Sequence, residues 1–155
     1  MTKQNFQGDL MLVETPDGGD CVLDDGLLLA DRGFGTAFYI SLFGGNKDDA
    51  GKVKNNKTWW GNTLPGIPEK EKIVSRFQNF IRAVPKTVKN IKDAEGMAKL
   101  DLKWAIDDGI ADEINIFIQS EGINKIKIFI GAMKEGKTVF ETSFGALWGA
   151  GINGI

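Results

Sequence analysis

The hydrophobic period of this chain changes once from 3.6 to 2, and that change constrains the fold more than any other feature. Between residues 93 and 107, Ala94, Ala98, Leu102 and Ala105 recur at helical spacing, with Met97, Leu100 and Trp104 widening the stripe. Asp107 and Asp108 end the apolar face, and Gly109 can take a left-handed cap without a Cβ penalty. Beyond it Ile114, Ile116 and Ile118 alternate with Asn115 and Gln119, the pattern of a half-buried strand. Phe117 interrupts the polar side, which predicts partial cover on both faces. Glu121 and Gly122 mark a turn, after which Ile126, Ile128 and Ile130 alternate with Lys125 and Lys127. A helix packed across such a sheet is the way to bury it.

The rest of the chain supplies the partners of that core. Residues 9–13 and 21–23 read as two short strands around the turn signal Thr15-Pro16-Asp17-Gly18, and Asp24-Asp25-Gly26 breaks the pattern again. Residues 34–43 (FGTAFYISLF) predict a buried helix. In residues 70–84, Ile73, Phe77, Phe80, Ile81 and Val84 form one apolar stripe, Glu69 and Glu71 lie in the first turn, and Pro85 ends the helix. Thr87 is placed to cap a long helix over 88–107, in which Gly96 is a weak point. Strands are expected over 113–120, 124–132 and 137–144. The expectation is an α+β fold: one domain over residues 1–144, two or three helices on a mainly antiparallel sheet, and a C-terminal β-meander. A Gly-rich tail, GALWGAGINGI, follows at 145–155 and is expected to dock.

Composition excludes several chemistries. The chain has 155 residues and no His, which removes His bases, His metal ligands and the Ser–His and Cys–His nucleophile pairs. A single cysteine, Cys21, cannot form an internal disulfide. A net charge of −2 gives no basic field for nucleic acid. No apolar run approaches a membrane span. Neither a cofactor, a metal nor a small-molecule substrate is expected.

One motif is deceptive. Gly131-Ala132-Met133-Lys134-Glu135-Gly136-Lys137-Thr138 matches the phosphate loop G-x-x-x-x-G-K-[ST] letter for letter. A phosphate loop leads from a strand into a helix, whose N-terminal N–H groups hold the phosphates. Here Val139/Glu141 alternate with Phe140/Thr142/Phe144, so a strand follows. A hairpin turn with Gly136 at the positive-φ position is the better reading. The alternative of a nucleotide-binding enzyme using Lys137 ranks below it. The acid pairs Asp24/Asp25, Asp48/Asp49 and Asp107/Asp108 invite a carboxylate-based lysozyme, yet adjacent residues rarely face one cleft and these sit at turns or in a loop.

Trp59-Trp60-Gly61-Asn62 follows a Gly- and Lys-rich loop. One reading seats one indole in the core and lays the other over the loop. The sharper reading is an exposed anchor for a partner, since Trp is enriched at interface hot spots. Trp59, Trp60, Gly61, Asn62, Phe144 and Trp148 are the partner-interface candidates.

Four blocks in order resemble the phage Mu-type baseplate proteins (gene product forty-six), which are related to the smaller wedge protein of T4-like contractile tails. Gly8-Asp9-Leu10 opens the chain. Residues 36–43 (TAFYISLF) look like the family's T-A-x-x-I-S-L-F, residues 57–62 (KTWWGN) are similar to W-W-G-D, and residues 102–111 (LKWAIDDGIA) look like W-L-x-D-D-G-x-A. The chain departs from the pattern at Asn62, where the family has Asp, and in the loop 44–56, which lacks arginines. The resemblance implies a non-enzymatic virion component of the tail baseplate, made in the bacterial cytoplasm. Its partners would be other wedge proteins, tail tube and sheath subunits, with sheath assembly templated by strand addition.

Overall fold

A computed structural model of the chain describes residues 9–15, 18–28, 30–31, 33–45 and 59–149. The chain divides into two compact units, residues 1–38 and 39–155. The fold class is α+β, as the periodicity predicts, with three main helices and a C-terminal antiparallel meander.

The first unit is built from two-stranded antiparallel ribbons. Strand β1 (Asp9–Leu10) pairs with β6 (Ala30–Asp31), β2 (Leu12–Thr15) with β3 (Gly18–Cys21), and β4 (Leu23–Asp24) with β5 (Leu27–Leu28). The break expected at Asp24-Asp25-Gly26 is the β4–β5 turn, where Asp25 and Gly26 have φ of 48° and 77°. Positive φ at both central positions is the geometry of a tight hairpin. Pro16 and Asp17 of the other expected turn lie outside the described residues. The Thr36 hydroxyl donates to the Leu10 carbonyl, tying the start of helix α1 (Gly35–Phe43) to the ribbon.

In the second unit, helix α2 (Arg76–Ala83), α3 (Val88–Asp101) and the short α4 (Trp104–Asp107) precede β7 (Glu113–Ser120), β8 (Lys125–Lys134) and β9 (Lys137–Leu147). The sheet order is β7-β8-β9, antiparallel throughout. Thr87 caps α3 as expected, its hydroxyl accepting from the Asn90 N–H at 3.1 Å. Gly96 stays helical on the exposed side, and Gly109 ends α4 at φ 70°.

The core lies on one face of the sheet. Ile114, Ile118, Ile126, Ile128, Ile130 and Ala132 are buried with Phe77, Ile81, Ala94, Ala98, Leu102 and Ala105 from the helices. Phe43 meets Phe77 edge-on at 5.6 Å between ring centroids, and Phe144 joins Tyr39 and Phe43 at 5.4 and 6.3 Å.

Several boundaries differ from the sequence reading, three of them for a clear physical reason. The helix expected over 70–84 starts only at Arg76. A 3-10 turn occupies Glu69–Glu71, and the backbone is extended at Lys72. Ile73 has its N–H and C=O taken by the Asn62 carboxamide, so it cannot enter a helix. The long helix over 88–107 is broken at Leu102 and Lys103. Strand β9 runs to Leu147 rather than 144, because its pairing with β8 continues through Ala146 and Leu147. The boundary placed after residue 144 therefore falls inside a strand.

Candidate interaction surface

The Trp59–Asn62 segment is held from beneath. Asn62, 2% exposed, uses both ends of its amide on Ile73: Nδ2 donates to the carbonyl at 2.9 Å and Oδ1 accepts the N–H at 2.8 Å. This is the pairing of a β-ladder supplied by a side chain. Gly61 is buried under the Trp59 ring, where any Cβ would collide with the indole. Trp59 is half-buried and tilts against Trp60 at 5.3 Å, while Trp60 is 65% exposed. Among the six sequence candidates, Trp60 alone has the exposure of an anchor. Phe144 is half-buried in the aromatic cluster with Tyr39 and Phe43.

Trp148 corrects an expectation. As a partner-interface candidate it would be an exposed aromatic, whereas it is 2% exposed, in keeping with a tail that docks. Its backbone N–H donates to Asn124 and its indole Nε1 to the Val84 carbonyl, both at 2.7 Å. The apolar, Gly-flanked context hides this role because the docking partner is 64 residues away in sequence.

The phosphate-loop match is a hairpin. Lys134 and Lys137 flank the two-residue turn Glu135-Gly136, with φ of 50° and 72°, and β8 passes directly into β9. The Glu135 N–H donates to Asp112 Oδ2 at 2.7 Å, and the element that follows the loop is the strand β9, not a helix. Asp107 pairs with Lys103 at 2.5 Å, Asp25 lies in the β4–β5 turn, and Asp48 and Asp49 lie outside the described residues. Among the described residues there is no His, Cys, Asp or Glu cluster that could hold a metal, and no helix long and apolar enough to cross a membrane.

The feature that sequence reading touched only in part is the contrast between the two sheet edges. The Glu121 N–H bonds to Lys125 and the Trp148 N–H to Asn124. These bonds fix the ladder's phase. Even-numbered residues of β7 turn their backbone groups outward, and on β9 the odd-numbered residues from Glu141 to Leu147, beyond the register shift at Val139, do the same. On β7, helix α3 packs alongside and Glu95 Oε1 accepts the Ile118 N–H at 3.1 Å. On β9, Glu141, Ser143, Gly145 and Leu147 turn N–H and C=O outward with no bonded partner among the described residues. No proline or lysine interrupts this run; of the devices that blunt an edge, the charge of Glu141 and the register shift at Val139 lie at its start.

Among the described residues, none covers the sheet's second face. Phe117, read in the sequence as a sign of cover, is 59% exposed and lies tilted against Phe129, with 6.1 Å between ring centroids. Around them a shallow hollow of about 530 Å³ is lined by Asn115, Phe117, Phe129, Gly131, Glu141 and Ser143.

No family model matches the chain, and no solved structure matches it. Over 141 residues it is 26% identical to the Mu-like prophage FluMu protein gp46 of Haemophilus influenzae, covering 90% of this chain and 97% of that protein. This similarity over nearly the whole length of both chains supports a protein of Mu-like phage or prophage origin.

Proposed function

We propose that the chain is a structural subunit of a contractile phage-tail baseplate. It acts through protein–protein contacts, without catalysis or cofactor, and takes up one strand of a neighbouring subunit along β9. The wedge proteins, tail tube and sheath are its partners, and the virion baseplate is its place. The observation that carries this reading is the open edge over Glu141, Ser143, Gly145 and Leu147, set against a β7 edge on which Glu95 takes the Ile118 N–H. Main-chain hydrogen bonds along such an edge give affinity with little demand on partner sequence. The likeness to a Mu-like prophage protein supports the setting.

Gly145→Pro tests it. The Gly145 N–H points away from β8, and nothing lies within 4 Å of an added Cβ, so proline is tolerated there as on other edge strands. Capture of purified wedge, tube and sheath subunits from the same phage should succeed with wild type. It should fall at least about tenfold in Gly145→Pro at unchanged melting temperature. Equal capture by the variant would sink strand addition. Failure of wild type to bind any of these subunits would sink the structural role.

A further inference from the structure

The bare face of the β7-β8-β9 sheet is complementary to itself. Three rows cross it, set by the register. Asn115, Gly131 and Glu141 form one, Phe117, Phe129 and Ser143 the next, and Gln119, Lys127 and Gly145 the third. The middle row carries the two exposed rings, with Lys127 Nζ 5.4 Å from the centre of Phe129. Consider a second copy laid face to face about a two-fold axis along that middle row. The axis keeps each strand over its counterpart and exchanges the outer rows. Asn115 then faces Gln119 of the other copy, amide to amide. Lys127 faces Gly131, and Glu141 faces Gly145. Each long charged side chain enters the space left by a glycine, and each lysine arrives beside the glutamate next to that glycine.

We propose that this face joins two copies of the chain through a symmetric contact centred on Phe117 and Phe129, with Lys127 of each copy reaching Glu141 of the other across Gly131. The patch spans three strands and five residues, roughly 14 by 17 Å. That is well below the area of a standard stable interface, so the dimer is weak and depends on concentration. Side chains on this face carry the contact, whereas the proposed strand addition uses the backbone of the β9 edge, so the two stand independently.

Sedimentation velocity on the full chain, from the micromolar to the millimolar range, is the test. Wild type should pass from monomer to dimer. Lys127→Glu and Glu141→Lys should each weaken association about tenfold or more, and the double reversal should restore it. Gly131→Val fills the receiving space, yet a Cβ there meets nothing within 4 Å in the monomer. It should keep its melting temperature and lose the dimer. A chain that stays monomeric throughout overturns the proposal and leaves the face to a different protein. A dimer indifferent to Gly131→Val or to either charge reversal overturns it as well.

Discussion

The indole Nε1 of Trp148 donates to the carbonyl of Val84 at 2.7 Å, joining the residue after β9 to the residue after α2. The Val84 carbonyl lies at a helix end, where C=O groups lack intrahelical partners. Burying the indole satisfies one while filling the core. Trp148→Ala should cost about 3–5 kcal/mol by chemical denaturation. Trp148→Phe should cost less, with about 1–3 kcal/mol of its loss traced to the stranded carbonyl. Wild-type stability in Trp148→Ala would return this residue to the surface.

Asn62 needs both a donor and an acceptor for Ile73. Aspartate has no donor when ionised and would set a carboxylate against the Ile73 carbonyl. Asn62→Asp should lower stability by about 1–3 kcal/mol near neutral pH. The loss should shrink on acidification, because a protonated carboxyl regains a donor. A pH-independent difference between the two proteins in thermal melts would contradict this.

Asp101 is the last residue of α3, where a helix dipole disfavours an acid. It serves α2 instead. The Phe77 N–H donates to Oδ2 at 2.8 Å and Arg76 Nη1 lies 3.2 Å from Oδ1, while the helix's own N-cap residue, Ser75, gives no side-chain cap. Burial pushes the Asp101 carboxyl above its ordinary value, against the lowering effect of these donors. The folded state therefore holds its proton to higher pH than the unfolded chain. This contribution is full below the unfolded value of about 4 and is lost as pH rises through the folded one. Asp101→Asn should be less stable than wild type, with the gap narrowing as pH rises. A gap that widens instead would mean that the donors outweigh burial.

Glu95 bridges α3 and β7 through the Ile118 N–H, with Lys92 at 2.6 Å on its other oxygen. Glu95→Ala should cost about 1–3 kcal/mol by leaving a buried N–H unpaired. It should also speed hydrogen exchange at the Ile118 amide. Glu95→Gln retains an acceptor and should change exchange little. Equal protection at Ile118 in all three proteins would remove Glu95 from this role.

What the sequence revealed and what it hid divide along one physical line. The switch at Gly109, the strand over 113–120 and the hairpin at Glu135-Gly136 were legible because period and turn chemistry act within a few residues. The start of α2 was hidden because the residue that denies Ile73 to the helix lies 11 positions away at Asn62. Trp148 was misplaced for the same reason, its acceptor being Val84. Phe117 misled differently. An exposed ring breaks an alternating pattern in the same way as a covered one, and only the absence of a second layer among the described residues tells them apart. Of the candidate surface, the Trp59-Trp60 pair stood out in the sequence, and Trp60 is the exposed one. The bond from Glu95 to Ile118 was not, because a glutamate on a helix reads as solvated surface.

The unlike edges of the sheet also set a count. The Glu95 carboxylate takes the Ile118 N–H on β7, whereas under the proposed strand addition β9 would take one strand along the outward groups of Glu141, Ser143, Gly145 and Leu147. A sheet that grows on one side only cannot be threaded into an endless ribbon of identical copies. Each chain then offers a single acceptor, and the number of chains in any assembly fixes how many donor strands that assembly can hold.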